Sequence, residues 1–527
     1  MSTASTSAVN TPGASTPTAL PHSCVVAVIG SGAMGAGIAQ VAAAAGYTVK
    51  LYDTRRQAVD KALQDIRKVF DTLVQKQRMS AEEAMAAANR LHPAASLAEL
   101  GDAGLIVEAI VENLDIKRKL FADLEEIVAD DCIFASNTSS ISITSIGALL
   151  RLPQRLVGMH FFNPVPLMAL VEVISGLASD SSVASSVYAT ALAWGKSPVY
   201  TKSTPGFIVN RVARPYYAEA LRILNEQAAT PATIDAILRE AGGFKMGPFE
   251  LMDLIGHDVN FTVTQSVFQA YFTDPRFTPS LIQQELLNAG YLGRKSGRGF
   301  YSYAPDAVRP LPQTESSEST MAAVKHRILF QHGNPLAQAL QKRLTASGIV
   351  SETGDTDDDA LLQCGSARLY LTDGRSATER ARDHAHNDTV LLDLTLDLNT
   401  ATRVALARAD QCSDAAYRSL LSLLQAAGLT VSLIGDVPGM AVMRTVVMLA
   451  NEAADAVNQG VCSAADADLA MRKGVNYPCG PLAWANAIGV PYLSRVLFHL
   501  ADSYGEDRYR VSPLIRRKNA NGELFNV

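Results

Sequence analysis

The chain reads as α/β: a doubly wound sheet followed by an all-α domain, then a degenerate α/β segment and a second copy of the all-α domain. Three observations predict this. Short apolar runs alternate with helical stretches from Val25 to about residue 203, the order that builds a mainly parallel sheet. From Pro205-Gly206 to about residue 300 the strand pattern stops and amphipathic helices take over. That helical block then recurs at a shift of 233 residues without gaps. TPGFIVNR (204–211) meets VPGMAVMR (437–444), Glu219 meets Glu452, Asp235 meets Asp468, GFKMGP meets NYPCGP, and Gly256 meets Gly489. A match held over this length is a duplication.

The first element is the strand Val25–Ile29. Gly30, Gly32 and Gly35 follow as G-x-G-x-x-G, with Ala33 and Met34 in the same loop. The Ala-rich stretch 36–45 favours helix and Gly46 ends it. A second strand, Thr48–Tyr52, leads to Asp53. Gly30 allows a tight turn, Gly32 lets a pyrophosphate approach the backbone, and Gly35 lets helix and strand pack closely. The helix N-terminus then faces the phosphates. Asp53 is placed to accept hydrogen bonds from an adenosine ribose. Together these predict a Rossmann-type dinucleotide site. Asp53 repels a 2′-phosphate and favours NAD over NADP, whereas Arg55 and Arg56 work the other way. The alternative is a doubly wound domain that has lost its ligand.

A polar helical region follows over 55–90, then a strand at 105–110, a helix at 113–128 and a strand at 132–136. Residues 158–174, GMHFFNPVPLMALVEVI, place His160 and Glu172 in two apolar strand runs. The Asn163-Pro164-Val165-Pro166 turn between them can return both to one edge of the sheet. A histidine held by a carboxylate keeps one ring nitrogen protonated and leaves the other to exchange a proton with a substrate hydroxyl. A structural His–Glu contact is the plainer reading of the pair taken alone. A helix at 183–194 and a strand at 198–202 complete the unit. The first helix of the helical block reads GFIVNRVARPYYAEALRILNE, and Pro215 is expected to kink it.

The expected organisation is a disordered Ser/Thr/Ala/Pro-rich tail over 1–22, an NAD-binding domain over 23–203 and a helical domain over 204–303. A linker over 304–325, a degenerate Rossmann-like domain over 326–435 and the second helical copy over 436–527 follow. The degenerate domain keeps strand runs (ARLYL, TVLLDLTLD, LTVSLIGD), but its opening, RILFQHGNPLAQAL, lacks a glycine fingerprint.

Composition narrows the function. A net charge of −6 gives no reason to expect nucleic acid. No apolar run reaches the length of a membrane span, so no membrane association is expected. The six cysteines are scattered, with no histidine at ligand spacing. That argues for reduced thiols, a cytoplasmic location and no metal.

At this point the chain resembles the NAD-dependent L-3-hydroxyacyl-CoA dehydrogenases. The motifs that carry the resemblance are VIGSGAMGAGIAQ, SNTSSISIT (136–144), HFFNPVPLMALVEVI (160–174), TPGFIVNR, FKMGPFELMDLIGHDV (244–259) and LGRKSGRGFY (292–301). It is close over 24–303 and looser over 435–520, and the length is similar to the long bacterial form with a duplicated C-terminal domain. The resemblance implies reversible oxidation of 3-hydroxyacyl-CoA to 3-oxoacyl-CoA with NAD, in fatty-acid or phenylacetate-type degradation. It makes His160 the general acid/base and Glu172 the group that orients it. Ser139 and Asn210 would hydrogen-bond the reacting oxygen and the thioester. Glu112, Lys117, Ser139, Asn163 and Lys295 match NAD-contacting positions. The plainer readings are a helix cap for Ser139, an ordinary polar helix position for Asn210 and solvated chains for Lys117 and Lys295. The basic side chains Arg55, Arg56, Lys61, Arg67, Lys68, Lys76 and Arg78 are candidates for the CoA phosphates.

In the second copy Asn210 aligns with Met443, so that copy is not expected to run the reaction. It is expected to pack on the first as a pseudo-dimer within one chain, with homo-oligomerisation left open. Another NAD-linked β-hydroxyacid dehydrogenase, or a non-enzymatic structural relative, are the rival readings.

Overall fold

Eight short runs make the first sheet: Val25–Ile29 (β1), Thr48–Tyr52 (β2), Leu91–Pro93 (β3), Ala103–Glu108 (β4), Ile133–Ser136 (β5), Leu156–Phe161 (β6), Leu170–Ser175 (β7) and Ser197–Lys202 (β8). They lie in the order β3-β2-β1-β4-β5-β6-β7-β8. All neighbours run parallel except β6 and β7, which are antiparallel. The central strands are apolar on both sides, and Val26, Val28, Leu105 and Val107 are fully buried, as a parallel sheet covered by helices requires. The structure is a computed structural model that describes residues 18–316, 327–354, 356 and 359–527. It divides into one unit up to Ser203 and a second from Thr204 to Val527.

The first unit's helices are Ala33–Ala44 (α1), Arg56–Gln75 (α2), Ala81–Asn89 (α3), Leu114–Glu125 (α4), Ile143–Gly147 (α5) and Ser181–Ala193 (α6). The polar stretch read as one helical region over 55–90 is two helices. Gln77 turns with φ 55°, and Ser80 then starts α3 through a capping box with Glu83. Ser-x-x-Glu is a start signal that the sequence carries at that point. Of the tail expected over 1–22, residues 1–17 lie outside the described residues. Leu20 is fastened: its N–H donates to Thr190 and its carbonyl accepts from the Tyr47 hydroxyl.

The second unit begins with Val209–Val212 (α7), Arg214–Asn225 (α8), Pro231–Glu240 (α9), Pro248–Ile255 (α10), His257–Ala270 (α11) and Leu281–Asn288 (α12). Pro215 does not kink a long helix. The chain breaks at Ala213, and Pro215 falls in the first turn of α8, where its missing N–H has no partner to lose. Of the linker expected over 304–325, residues 317–325 lie outside the described residues. The described part is held by its own N–H groups: Gln313 N–H donates to Thr233 Oγ1 and Glu315 N–H to Val431 O.

A second sheet follows, of Ile328–Gln331 (β9), Glu352–Gly354 (β10), Leu362–Cys364 (β11), Ala367–Leu371 (β12), Thr389–Leu392 (β13), Arg403–Arg408 (β14) and Thr430–Leu433 (β15). Its order is β10-β9-β11-β12-β13-β14-β15, and its helices are Pro335–Ala346 (α13), Ala377–His384 (α14) and Asp414–Ala426 (α15). The chain ends in Val442–Asn458 (α16), Ala464–Gly474 (α17), Pro481–Ile488 (α18), Val490–Tyr504 (α19) and Pro513–Asn521 (α20).

The duplication reaches further back than the helical block. β6, β7, α6 and β8 start at 156, 170, 181 and 197, and β13, β14, α15 and β15 start at 389, 403, 414 and 430. The offset is 233 throughout, and β13–β14 repeats the antiparallel step of β6–β7. Side chains had diverged too far for the sequence to reveal it. Local devices are also copied. Asp235 accepts from Phe249 and Glu250 N–H at the start of α10, and Asp468 from Leu482 and Ala483 N–H at the start of α18.

The two helical copies exchange buried ion pairs. Arg211 Nε lies 2.5 Å from Glu452 Oε1, and Arg444 Nε lies 2.8 Å from Glu219 Oε2. Each pair is the other at the 233-residue offset. Arg444 also donates to Glu226, Tyr504 and Tyr509. Removing one member of such a buried pair strands the other charge, which typically costs about 3–5 kcal/mol. Arg444→Met should therefore destabilise the second unit by about that amount in urea unfolding. An unchanged midpoint would show that the network contributes nothing net.

Candidate functional site

The glycine loop joins β1 to α1. Gly30 sits at φ +104°, and a Cβ there would meet Ala109 O at 2.4 Å. A Cβ on Gly35 would lie 1.8 Å from Gly30 O, whereas one on Gly32 meets nothing within 4 Å. The loop is thus closed underneath at Gly30 and Gly35 and open above Gly32. The N-terminal turn of α1, with Ala33 and Met34, carries no side-chain cap, so its N–H groups face outward for an anion.

Asp53 stands at the end of β2. Its Oδ2 accepts from Ser31 N and Ser31 Oγ, both at 2.9 Å, and its Oδ1 accepts from Arg55 N at 3.0 Å. Burial pushes this carboxyl up, but the hydrogen bonds from Ser31 and Arg55 outweigh it and hold it below the usual aspartate range. A cavity of 740 Å³ opens here, bordered by Gly30, Gly32, Tyr52, Asp53, Ala109 and Ile110. Room above Gly32, uncapped N–H groups and a fixed carboxylate fit a dinucleotide.

His160 and Glu172 are direct register partners on the β6–β7 antiparallel pair. His160 Nδ1 lies 2.7 Å from Glu172 Oε2. Glu172 is fully buried and His160 is 6% exposed. With the carboxylate ionised, Nδ1 carries the proton and donates it, leaving Nε2 as a base. Asn137 Oδ1 accepts from Phe161 N–H beside this pair. Asn163 lies on the exposed turn after β6.

A second cluster stands at the ends of β4 and β5. Glu112 Oε1 accepts from Thr138 Oγ1, Ser139 N and Ser140 N at 2.6, 2.9 and 3.1 Å, and Ser139 Oγ lies 3.4 Å from it. The plainer reading of Lys117 as a solvated chain does not hold. Lys117 is 1% exposed, with its Nζ 2.5 Å from Glu108 Oε1 and 3.4 Å from Glu112 Oε2. Glu108 is fully buried and also accepts from Ser136 Oγ and Ile110 N. Sequence reasoning passed over Glu108 and Ser136. The signal was an acid inside the apolar run LIVEAI, which needs a buried cation to balance it.

Three of the seven basic side chains after Asp53 form exposed ion pairs along α2. Arg56 pairs with Asp60, and Lys61 and Lys68 both pair with Asp65.

The second unit holds the other two candidates. Asn210 is on α7. Lys295 follows α12 and lies 2.5 and 2.6 Å from the two carboxylate oxygens of Asp258, which it holds below the usual aspartate range. The duplicated copy has lost three of the candidate groups. At the same offset His160 becomes Asp393, Glu172 becomes Ala405 and Asn210 becomes Met443. Asp393 is fully enclosed and accepts from the N–H groups of Ala441, Val442 and Met443. Burial raises it to about 6 despite those donors. Where the glycine fingerprint is missing, Asn334 caps α13 with its own side chain, which occupies the N–H groups that α1 leaves open.

Family models account for nearly the whole described chain. The model for the NAD-binding domain of 3-hydroxyacyl-CoA dehydrogenases matches residues 25–204. The model for their C-terminal domain matches twice, over 206–303 and 439–526. This chain belongs to the 3-hydroxyacyl-CoA dehydrogenase family. It is an NAD-dependent oxidoreductase, and its first unit is the NAD-binding domain. A model for the reduced Rossmann-fold domain of 3-hydroxybutyryl-CoA dehydrogenase matches 369–438 of this dehydrogenase, the segment read as a degenerate α/β domain.

The dehydrogenase is 44% identical over 495 residues to the 3-hydroxyadipyl-CoA dehydrogenase of Escherichia coli K12, covering 94% of this chain and 97% of that one. A crystal structure of 3-hydroxybutyryl-CoA dehydrogenase from Escherichia coli K12 superposes with a TM-score of 0.86 at 42% identity, covering 95% and 98% of the two chains. The (S)-3-hydroxybutyryl-CoA dehydrogenase of Ralstonia eutropha superposes with a TM-score of 0.52 at 38% identity, covering 53% of this chain and 99% of that one.

Two predictions follow from the loop. Gly32→Ala should weaken NADH binding in a fluorescence titration and leave thermal stability unchanged, because its Cβ enters open space. Gly35→Ala should lower both. Loss of stability without loss of binding at Gly32 would contradict a phosphate seat there. The enzyme should also prefer NAD over NADP through Asp53, and comparable kcat/KM for the two cofactors would refute that role.

Proposed function

We propose that His160 is the general acid/base for oxidation of (S)-3-hydroxyacyl-CoA to 3-oxoacyl-CoA, and that the preferred acyl group is short and dicarboxylic. The 2.7 Å contact between His160 Nδ1 and buried Glu172 carries the first part. Nε2 takes the proton of the substrate's 3-hydroxyl as the C3–H bond breaks. NAD, when bound at the glycine loop and Asp53, would supply the oxidant, a two-electron acceptor for the hydride released from C3. Glu172 balances the imidazolium that results, and in the reverse direction the imidazolium returns the proton. Ser139 and Asn210 are assigned to the reacting oxygen and the thioester. Gly30, Gly32, Ala33, Met34, Gly35, Asp53, Glu112, Ser139, Asn163 and Lys295 are assigned to NAD. Lys117 is assigned to holding Glu112, since its ammonium is committed to Glu108 and Glu112.

The near full-length match to an enzyme named for 3-hydroxyadipyl-CoA supports the dicarboxylic acyl group, and with it a place in phenylacetate-type or fatty-acid degradation. No disulfide joins the six cysteines among the described residues, which fits a reducing cytoplasm. No helix among the described residues is long and apolar enough to cross a membrane.

The second helical copy is proposed to stand where a partner subunit's helical domain would otherwise pack. The reciprocal pairs Arg211–Glu452 and Arg444–Glu219 support this, because contacts exchanged in both directions mark an isologous interface.

His160→Ala should keep NADH binding and lose about 10²–10⁴ in turnover with acetoacetyl-CoA, followed at the NADH absorbance. Near wild-type turnover would remove His160 from the mechanism. Glu172→Gln should also lose turnover and shift the pH–rate profile. A fragment ending at residue 310 should self-associate in light scattering, whereas a well-behaved, fully active monomeric fragment would refute the pseudo-dimer.

A further inference from the structure

Helix α8 carries a buried cation that no carboxylate neutralises among the described residues. Arg214 is 5% exposed. Its Nη1 donates to Thr264 Oγ1 at 3.0 Å, its guanidinium lies 5.0 Å from the Tyr217 ring centroid, and its Nε meets no acceptor. Burial pushes it below the ordinary arginine range, and only the Tyr217 and Tyr477 hydroxyls oppose that. The other buried arginines of this unit are balanced: Arg211 by Glu452, Arg444 by Glu219, Arg276 by Asp274 and Glu452, Arg380 by Asp373 and Arg403 by Glu240. A buried charge without a counter-charge is costly unless a ligand supplies one.

Arg214 borders a cavity of 170 Å³ between α8, α11 and the segment that leads into α12. Leu221, Phe277 and Leu281 give it apolar walls. The other charged groups on its lining are Arg222, Arg276 and Arg508, each already paired with an acid. No aspartate or glutamate lines it. The chemistry is that of a receptor for an anion on an apolar stem.

The duplicated copy shows that packing does not require this charge. At the 233-residue offset Arg214, Tyr217 and Thr264 become Val447, Ala450 and Leu497, all fully buried on α16 and α19. The cation is therefore particular to the copy that carries Asn210. Arg214, Ala218, Leu221 and Asn225 form one stripe of α8 along the cavity, and Asn210 lies four residues before Arg214 on α7. Four residues of chain keep the two Cα atoms within about 14 Å, a span that a short acyl chain and the two side chains together can bridge.

We propose that Arg214 binds the distal carboxylate of a short dicarboxylic acyl group and sets the preference for dicarboxylic over monocarboxylic 3-hydroxyacyl-CoA. This rests on the dicarboxylic reading of the substrate and on Asn210 meeting the thioester end. A guanidinium grips a carboxylate through two parallel N–H donors, and Nε and the second Nη are the donors that Thr264 leaves available.

The test is the ratio of kcat/KM for 3-hydroxyadipyl-CoA to that for 3-hydroxyhexanoyl-CoA, which has the same chain length without the carboxylate. The wild-type ratio should be well above one. Arg214→Met should lower it by about 30-fold or more, as loss of one partner of a buried charge pair does. Arg214→Lys should restore part of it. An equal loss on both substrates, with the ratio unchanged, would overturn the assignment and leave the dicarboxylic reading standing. A wild-type ratio near one would sink that reading itself, and the role of Arg214 with it. If Arg214→Met gives no soluble enzyme, Thr264→Val decides. It keeps the charge and removes its anchor, so KM for the dicarboxylic substrate must rise more than for the other. An unchanged ratio there also overturns the proposal.

Discussion

One antiparallel step in an otherwise parallel sheet governs the candidate chemistry. Because β7 runs against β6, His160 and Glu172 become direct register partners instead of neighbours displaced along the sheet. A carboxylate with no exposure to water must be paired, and the imidazole Nδ1 is its partner. That contact fixes the orientation of the ring, with Nδ1 turned to Glu172. The surrounding elements serve the same arrangement. Asn137 ties the end of β5 to Phe161, and Val165 in the following turn packs against Gly37 of α1, so the turn and the nucleotide loop share one support.

The duplicated half uses the same backbone for a different purpose. The antiparallel step is retained in β13–β14, but the histidine position now holds Asp393. Its carboxylate closes the N-terminus of α16 through three N–H donors. Asn334 does the same for α13. At α13 a side chain has thus taken up N–H groups that are left without a side-chain cap at α1. Buried arginines show the same contrast. Arg211 and Arg444 are matched by glutamates from the opposite copy, whereas Arg214 is unmatched and has an apolar residue as its counterpart.

Much of this was legible in the residues. The glycine loop, Asp53 and the His160–Glu172 unit depend on spacing within short segments, and local sequence carries that spacing. The helical repeat was visible because Pro, Gly, Glu and Asp at fixed positions serve turns, caps and ion pairs that both copies still need. The repeat of β6–β8 was not visible. Its strands answer only to burial, which many apolar residues satisfy equally, and their functional side chains have changed. Glu108 and Ser136 were overlooked because a buried acid in a strand looks like noise until its cation is known. Lys117 is nine residues along the chain, on another element.

The sequence by itself therefore determined the element order, the nucleotide loop and the residue types able to move a proton, since each depends on local periodicity or a motif of fixed spacing. Only the tertiary structure decided which buried charges are balanced. It paired Lys117 with Glu108, Arg211 with Glu452 and Arg444 with Glu219, and it left Arg214 facing a cavity without a carboxylate. Charge balance is a property of side chains brought together across hundreds of residues, at distances that no local pattern encodes.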